Sequence, residues 1–367
     1  MKTAYGDSAL DGLAAILLRD SCGCAECRDF GSGQRLGSIT DLPADVTVLE
    51  TRAAGNSVVV IFGPDGHRAV FSRAWLAEQR SAPEDDRTED AKRLWTASEA
   101  ATGPGGQSWT RYLADEGHRE RCLAALLRDG FFLLRDVPCR PGTVLAVAAS
   151  MGYVRETNYG RLFDVRVEAT PANLAYTGLP IAPHTDNPYR DPVPTVQLLH
   201  CLATAVKGGD SRLVDGFMAA ALLRAENPAA FEILTRTPVT FAYSDATAEL
   251  RATRPMIGLD PHGRIREVRV NHRSMQPLRP GREGSAEQTA AFYAAYRAFA
   301  QIITRPDLML TFRLCPGDCA VFDNTRILHA RTGFAAAGER HLQGCYADLD
   351  GVASALAVLR RTRRATE

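Results

Sequence analysis

Two groups of side chains have the types and spacing that metal chemistry needs. In Pro183-His184-Thr185-Asp186 an imidazole and a carboxylate stand two positions apart, which on an extended chain turns both side chains to one face. His329 follows far downstream, after the apolar run 319–322 and the stretch Asp323-Asn324-Thr325-Arg326-Ile327-Leu328. Two imidazoles and one carboxylate leave one face of an octahedral Fe(II) open, which is what binding a cosubstrate and dioxygen together requires. A buried ion pair or a turn cap is the competing reading, since His-x-Asp is common. Arg340, shortly after His329, favours the metal, because a guanidinium fork makes two parallel charge-assisted hydrogen bonds to a carboxylate ligand.

The second group is Cys22-Gly23-Cys24-Ala25-Glu26-Cys27, three soft thiolates close together, with His67 as a fourth donor. That set suits tetrahedral Zn(II), and a closed four-ligand site would hold a small domain together rather than catalyse. The alternative is three reduced surface cysteines beside an unrelated histidine. The other six of the nine cysteines, Cys122, Cys139, Cys201, Cys315, Cys319 and Cys345, lie in apolar or strand-like contexts and read as small hydrophobes. Among the remaining histidines, His118 and His262 read as surface helix and turn residues, His200 as a strand residue, and His272 and His341 as neighbours of functional positions.

These groups need elements to position them. Residues 1–82 form a small β-rich unit, with short apolar runs at 46–49, 58–62 and 69–71. The turn Gly63-Pro64-Asp65-Gly66 closes a hairpin beside His67. The polar stretch Ser81-Ala-Pro-Glu-Asp-Asp-Arg-Thr-Glu-Asp90 reads as linker, set at 83–94, ahead of a catalytic domain over 95–367. There, helical spacing runs from 111 to 128 and ends at Gly130, before the strand Phe131-Phe132-Leu133-Leu134. Strands are expected at 195–201, 211–215, 239–243, 268–271, 311–314, 319–322 and 343–347, with helices near 218–225 and 287–304. The fold class is mainly β with helices: a double-stranded β-helix, or jelly roll, plus the small zinc-binding domain.

Charge and hydropathy narrow the partners. The 43 basic and 43 acidic residues cancel, which removes the electrostatic case for nucleic acid or an anionic membrane. With neither a long apolar span nor a secretory start, a cytoplasmic protein acting on a small molecule is expected.

In order along the chain stand Pro183-His184-Thr185-Asp186, Val196-Gln197-Leu198-Leu199-His200-Cys201, Gly208-Gly209-Asp210-Ser211, Val214-Asp215-Gly216-Phe217, Pro316-Gly317-Asp318, Asp323-Asn324 and Arg340-His341-Leu342. By this series the chain resembles the γ-butyrobetaine hydroxylase branch of the taurine dioxygenase-like superfamily, over nearly its whole length. The resemblance implies an Fe(II)- and 2-oxoglutarate-dependent hydroxylase with Arg340 on the distal carboxylate of 2-oxoglutarate, a Cys3His zinc site, a homodimer, and ascorbate as an activator in vitro.

Tyr159, Phe163, Tyr176 and Tyr346 recur around the iron motif and could form an aromatic cage, since a trimethylammonium group donates no hydrogen bonds and is held by ring faces within about 6 Å. The four positions match the cage of γ-butyrobetaine hydroxylases, with Phe163 where those enzymes commonly use tryptophan. Asn173 matches the first of two asparagines that hold the substrate carboxylate in that branch. The second position, in the expected strand Arg269-Val270-Asn271-His272-Arg273, is Arg273. A guanidinium there suits a phosphonate. The leading expectation is therefore hydroxylation of a methylene in 2-(trimethylamino)ethylphosphonate, giving its 1-hydroxy product with succinate and CO2. Formation of L-carnitine from γ-butyrobetaine stands as the alternative. A taurine-like sulfonate dioxygenase fits the aromatic set and zinc module poorly. A non-catalytic zinc and jelly-roll interaction protein leaves the iron ligands and Arg340 without purpose.

Overall fold

The computed structural model describes residues 8–80, 92–101, 106–167, 174–204, 207–278, 285–335 and 339–366. Most of the expected linker, and Asn173, lie outside the described residues. The chain divides into two compact units, Met1–Glu89 and Asp90–Glu367.

In the first unit, strands Thr47–Ala54, Ser57–Gly63 and Arg68–Ser72 form an antiparallel sheet in sequence order. Alternation along the middle strand sends Val58, Val60 and Phe62 inward, each fully buried, against Leu10, Leu18 and Leu76 from the helical segments on either side. Gly66 takes a left-handed φ of 69° in the turn after the middle strand, and this turn delivers His67 toward the cysteine loop.

The second unit is built on two sheets. One has six strands in the order Gln107–Ser108, Phe131–Arg135, Cys319–Asp323, Val196–Thr204, Arg340–Ala347 and Phe163–Val165. The other has four, in the order Met309–Phe312, Ser211–Asp215, Ile327–Arg331 and Ile181–His184. Because both faces of the larger sheet are covered, its central strand Cys319–Asp323 is buried throughout, with Val321 packed toward the helices and Phe322 toward the smaller sheet. Helices Trp109–Ala114, Glu116–Asp129, Thr143–Ala149 and Leu349–Thr366 cover the outer face of the larger sheet through Tyr112, Leu126, Val147 and Leu356. Helices Gly216–Glu226, Pro228–Arg236 and Ala286–Ile303 pack behind the smaller one. The two sheets and their shared core define a jelly roll.

Several expectations need correction. The single helix over 111–128 is two helices, because Asp115 ends the first and caps the second, its side chain accepting a hydrogen bond from the His118 N–H. His118 is buried rather than on the surface, as it shares a helix face with the buried Cys122 and Leu126. The strand expected at 268–271 ends at Val268, since the following backbone pairs elsewhere: Val270 O accepts from Thr185 N at 2.8 Å. Arg273 consequently sits in a turn instead of a strand. The strand expected at 311–314 is Met309–Phe312, set by its partner Ser211–Asp215. Cys139 and Cys315 are exposed, so neither serves as a core hydrophobe.

Candidate active site and metal clusters

Antiparallel pairing of Ile327–Arg331 with Ile181–His184 puts His329 directly opposite His184. Two residues past His184, Asp186 turns back to the same place. Asp186 Oδ1 lies 3.3 Å from His184 Nε2, and Oδ2 lies 3.8 Å from His329 Nε2. All three donor atoms are close enough to share one ion.

Neighbouring groups fix the side chains of His184 and Asp186. His184 Nδ1 sits 2.9 Å from Ala182 O, so Nδ1 carries the proton and the Nε2 lone pair faces the cluster. Burial, with His184 alongside, pushes the pKa of His329 down to about 3 and keeps that imidazole neutral. Burial works to raise the pKa of Asp186, yet His329, His184 and Arg273 outweigh it and hold the carboxyl far below the ordinary range. Neutral imidazoles and an ionised carboxylate are the protonation states that a divalent metal needs.

Asp186 is also held from behind. Its Oδ2 accepts hydrogen bonds from Gln197 Nε2 at 2.8 Å and from the Tyr346 hydroxyl at 3.0 Å. Asn324 clamps the backbone, its Oδ1 accepting from Asp186 N at 2.8 Å while its Nδ2 donates to Asp186 O and Pro194 O, both at 2.9 Å. Gln197 and Asn324 stand inside motifs noted above, Val196-Gln197 and Asp323-Asn324, but a sequence gives no sign of which atom each side chain reaches.

The cluster opens into a cavity of about 530 Å³ between the sheets. Of the residues expected there, Tyr159, Phe163, Tyr176, Arg273, Arg340 and Tyr346 all line it. Ring centroids of Phe163 and Tyr346 are 5.2 Å apart, and those of Tyr159 and Phe163 6.3 Å. Two further rings went unrecognised in the sequence. Tyr243 packs 5.7 Å from Tyr159 and 5.1 Å from Tyr189, and the Tyr159 and Tyr189 hydroxyls are hydrogen-bonded at 2.9 Å. Tyr243 comes from a distant hairpin, so no local spacing ties it to the others.

Arg340 is buried at the cavity wall, where Nη2 donates to Gly209 O at 3.3 Å and the guanidinium lies over the Phe334 ring at 5.3 Å. A Cβ on Gly209, whose φ is 73°, would come within 3.0 Å of Arg340 Nε. The missing side chain at Gly209 thus leaves room for this arginine. Arg331, two residues past His329, also lines the cavity and is 93% buried.

In the first unit the Sγ atoms of Cys22, Cys24 and Cys27 lie 3.2, 3.7 and 3.6 Å from His67 Nε2. Zn–S and Zn–N bonds of ordinary length in a tetrahedron set ligand atoms about 3.6 Å apart, so the donor set fits zinc. Arg19, unremarked in the sequence, supports the site. Nη1 donates to Cys27 Sγ at 3.3 Å and Nη2 to Asp65 Oδ2 at 3.0 Å, while Asp65 Oδ1 accepts from His67 N.

A jelly roll carrying two histidines on adjoining strands and an aspartate just past one of those strands, with a buried arginine at the far wall of the same cavity, defines an Fe(II)- and 2-oxoglutarate-dependent dioxygenase. Residues 98–346 match the taurine catabolism dioxygenase TauD, TfdA family, and residues 1–77 match the γ-butyrobetaine hydroxylase-like N-terminal family. The chain belongs to the γ-butyrobetaine hydroxylase-like branch of this dioxygenase family. It is 34% identical to γ-butyrobetaine dioxygenase of Pseudomonas sp. (strain AK-1), over 98% of this chain and 94% of that one. The human γ-butyrobetaine dioxygenase is 31% identical over 95% of this chain and 91% of its own. A trimethyllysine dioxygenase of Meyerozyma guilliermondii is 28% identical over 98% and 95%. Family chemistry takes a small-molecule substrate and dioxygen. No helix among the described residues is long and apolar enough to cross a membrane.

Proposed function

We propose that this dioxygenase hydroxylates a methylene of a small trimethylammonium zwitterion, with 2-(trimethylamino)ethylphosphonate as the leading substrate. The observation that carries this reading is Arg273 on the wall of the cavity that also holds the aromatic rings. Rings of Tyr159, Phe163, Tyr176 and Tyr346 receive the cation, which cannot donate a hydrogen bond and is attracted to ring faces once water is excluded. Arg273 receives the anionic end, where a guanidinium pairs bidentately with phosphonate oxygens. In the branch, Asn173 belongs to the same anion subsite.

His184, Asp186 and His329 are the iron ligands in this scheme, Arg340 anchors the distal carboxylate of 2-oxoglutarate, and Cys22, Cys24, Cys27 and His67 hold zinc. Iron, when bound, would couple dioxygen to 2-oxoglutarate, with one oxygen atom entering the substrate C–H bond and the other entering succinate as CO2 is released. The chain's own residues bind and orient. Gln197 and Tyr346 keep Asp186 aimed at the metal, and the ring wall fixes the cationic end so that a methylene, rather than the methyl groups, faces the iron.

A second reading, formation of L-carnitine from γ-butyrobetaine, is favoured by the names of the similar proteins. Succinate release with each zwitterion, in the protein and in Arg273→Asn, separates the two. A phosphonate substrate predicts preference for that compound and a loss of about 1.5–3 kcal/mol in Arg273→Asn, roughly ten- to hundredfold in affinity. Preference for γ-butyrobetaine, unchanged by the substitution, would make Arg273 incidental and the protein a carnitine-forming hydroxylase.

A further inference from the structure

Arg331 is a buried cation that the reaction scheme leaves unused. Nη1 donates to Ala175 O at 3.1 Å, and Nη2 donates to Leu174 O, Thr177 O and Leu179 O at 3.4, 2.6 and 2.8 Å. One guanidinium therefore gathers four carbonyls of the segment 174–179, which carries Tyr176 into the cavity. Its Nε is buried without a hydrogen-bond partner, and no carboxylate among the described residues pairs with it. Carbonyl dipoles solvate the guanidinium but no carboxylate neutralises it, so a negative charge brought close to it is favoured.

Phe334 joins it to the far wall. The ring lies 4.9 Å from the Arg331 guanidinium and 5.3 Å from that of Arg340, so two cations contact one aromatic ring. Phe334 N also donates to Gly178 O at 2.9 Å, tying the same residue to the same segment. The path is continuous: Arg340, the Phe334 ring, Arg331, four carbonyls, Tyr176.

We infer that Arg331 and Phe334 are positioning residues that couple the two ends of the cavity, so that a dicarboxylate seated on Arg340 steadies the segment 174–179 and with it the Tyr176 wall of the cation site. This rests on the assignment of Arg340 as the cosubstrate anchor. A carboxylate arriving at Arg340 offsets the repulsion between the two guanidiniums and strengthens the hold of Arg331 on its carbonyls. The differential interaction is local and electrostatic, and it acts equally in both directions, so a ligand against Tyr176 tightens the dicarboxylate in turn.

The test uses the full chain loaded with Mn(II), with N-oxalylglycine as an unreactive dicarboxylate. Hydrogen exchange of amides 174–179 is followed with and without N-oxalylglycine, and the affinity for γ-butyrobetaine and 2-(trimethylamino)ethylphosphonate is measured by calorimetry in both states. The expected results are slower exchange and an affinity about tenfold higher with N-oxalylglycine present. In Phe334→Leu and Arg331→Met both effects fall below about twofold while N-oxalylglycine still binds, and Arg331→Lys restores part of them. Variants that bind N-oxalylglycine yet keep the full exchange effect overturn the inference, as does an absence of any effect in the unaltered protein. The exchange arm needs no substrate, so failure of both zwitterions to bind counts against the substrate reading alone. Failure of N-oxalylglycine itself to bind more weakly in Arg340→Met would overturn the anchor assignment, and the coupling with it.

Discussion

Asp186→Asn is expected to remove bound iron and lower turnover by at least about a thousandfold, more than the ten- to hundredfold typical of losing a group behind a ligand. The reason lies in what surrounds the carboxylate. Oδ2 accepts from both Gln197 Nε2 and the Tyr346 hydroxyl, which leaves Oδ1 turned toward His184. An asparagine has no arrangement that satisfies both sides. With its oxygen toward Gln197 and Tyr346, its NH2 faces the metal; flipped, its NH2 meets one donor, Gln197, head-on. The charge that helps neutralise a divalent ion is lost in either case. Iron per chain and succinate release are the measurements, with a thermal melt to show that the fold persists. Gln197→Ala provides the contrast, with metal retained at reduced affinity and a loss within the smaller range. If Asp186→Asn kept one iron per chain and a tenth of the activity, Asp186 would not be a ligand.

The second large effect concerns the amino-terminal unit. Stripping the Cys22, Cys24, Cys27 and His67 cluster of zinc is expected to unfold that unit while the jelly roll stays folded. The buried set around Val58, Val60, Phe62, Leu10, Leu18 and Leu76 is small. Structural zinc sites contribute about 10–16 kcal/mol at neutral pH in isolated finger peptides, comparable with the whole stability of an ordinary domain. In the metal-free cluster, burial pushes the Cys22 thiol up to about 12, so a proton takes the place of the ion and the attraction that draws the four donors together is gone. Chelation followed by limited proteolysis should release fragments of residues 8–80 first. Cys24→Ser, which removes a soft ligand at little change in size, should abolish stoichiometric zinc; one zinc per chain in that variant would sink the assignment.

Much of this was readable from residue order. The pair His184 and Asp186, the distal His329 and the cysteine loop declare themselves because metal sites demand particular donor types, and donor type is what a sequence states directly. Strands such as Cys319–Asp323 were legible from apolar runs bounded by turn residues. What escaped has a common cause. Asp115 divides a continuous helical pattern because its side chain finds the His118 amide, a local competition that periodicity does not register. Residues 270 and 271 look like strand but spend their hydrogen bonds on Thr185, as when Asn271 Nδ2 donates to Thr185 O at 3.0 Å. Tyr189, Tyr243, Arg331 and Phe334 carry no signature of their own, because their roles arise from tertiary neighbours rather than from spacing.

The strand that ends in His184 lies at the open margin of the four-stranded sheet and is joined to the rest by only two pairings, His184 with His329 and Ile181 with Arg331. Strand register is weakly specified where contacts are few, and a slip of one residue would turn His184 away from the cavity. Under the proposed ligand assignment, a metal held by His184 and His329 would act as a rivet through two adjacent strands, and loading it would complete the barrel. Without the metal only those two pairings hold the strand, and a strand at a sheet margin is a template for pairing with another copy. Metal-free protein should accordingly aggregate several-fold faster than the Mn(II)-loaded form in light scattering at equal concentration. Equal rates would mean that the margin holds its register unaided. On this view iron shortage depletes the enzyme twice over, by silencing the molecules that remain and by drawing others out of solution.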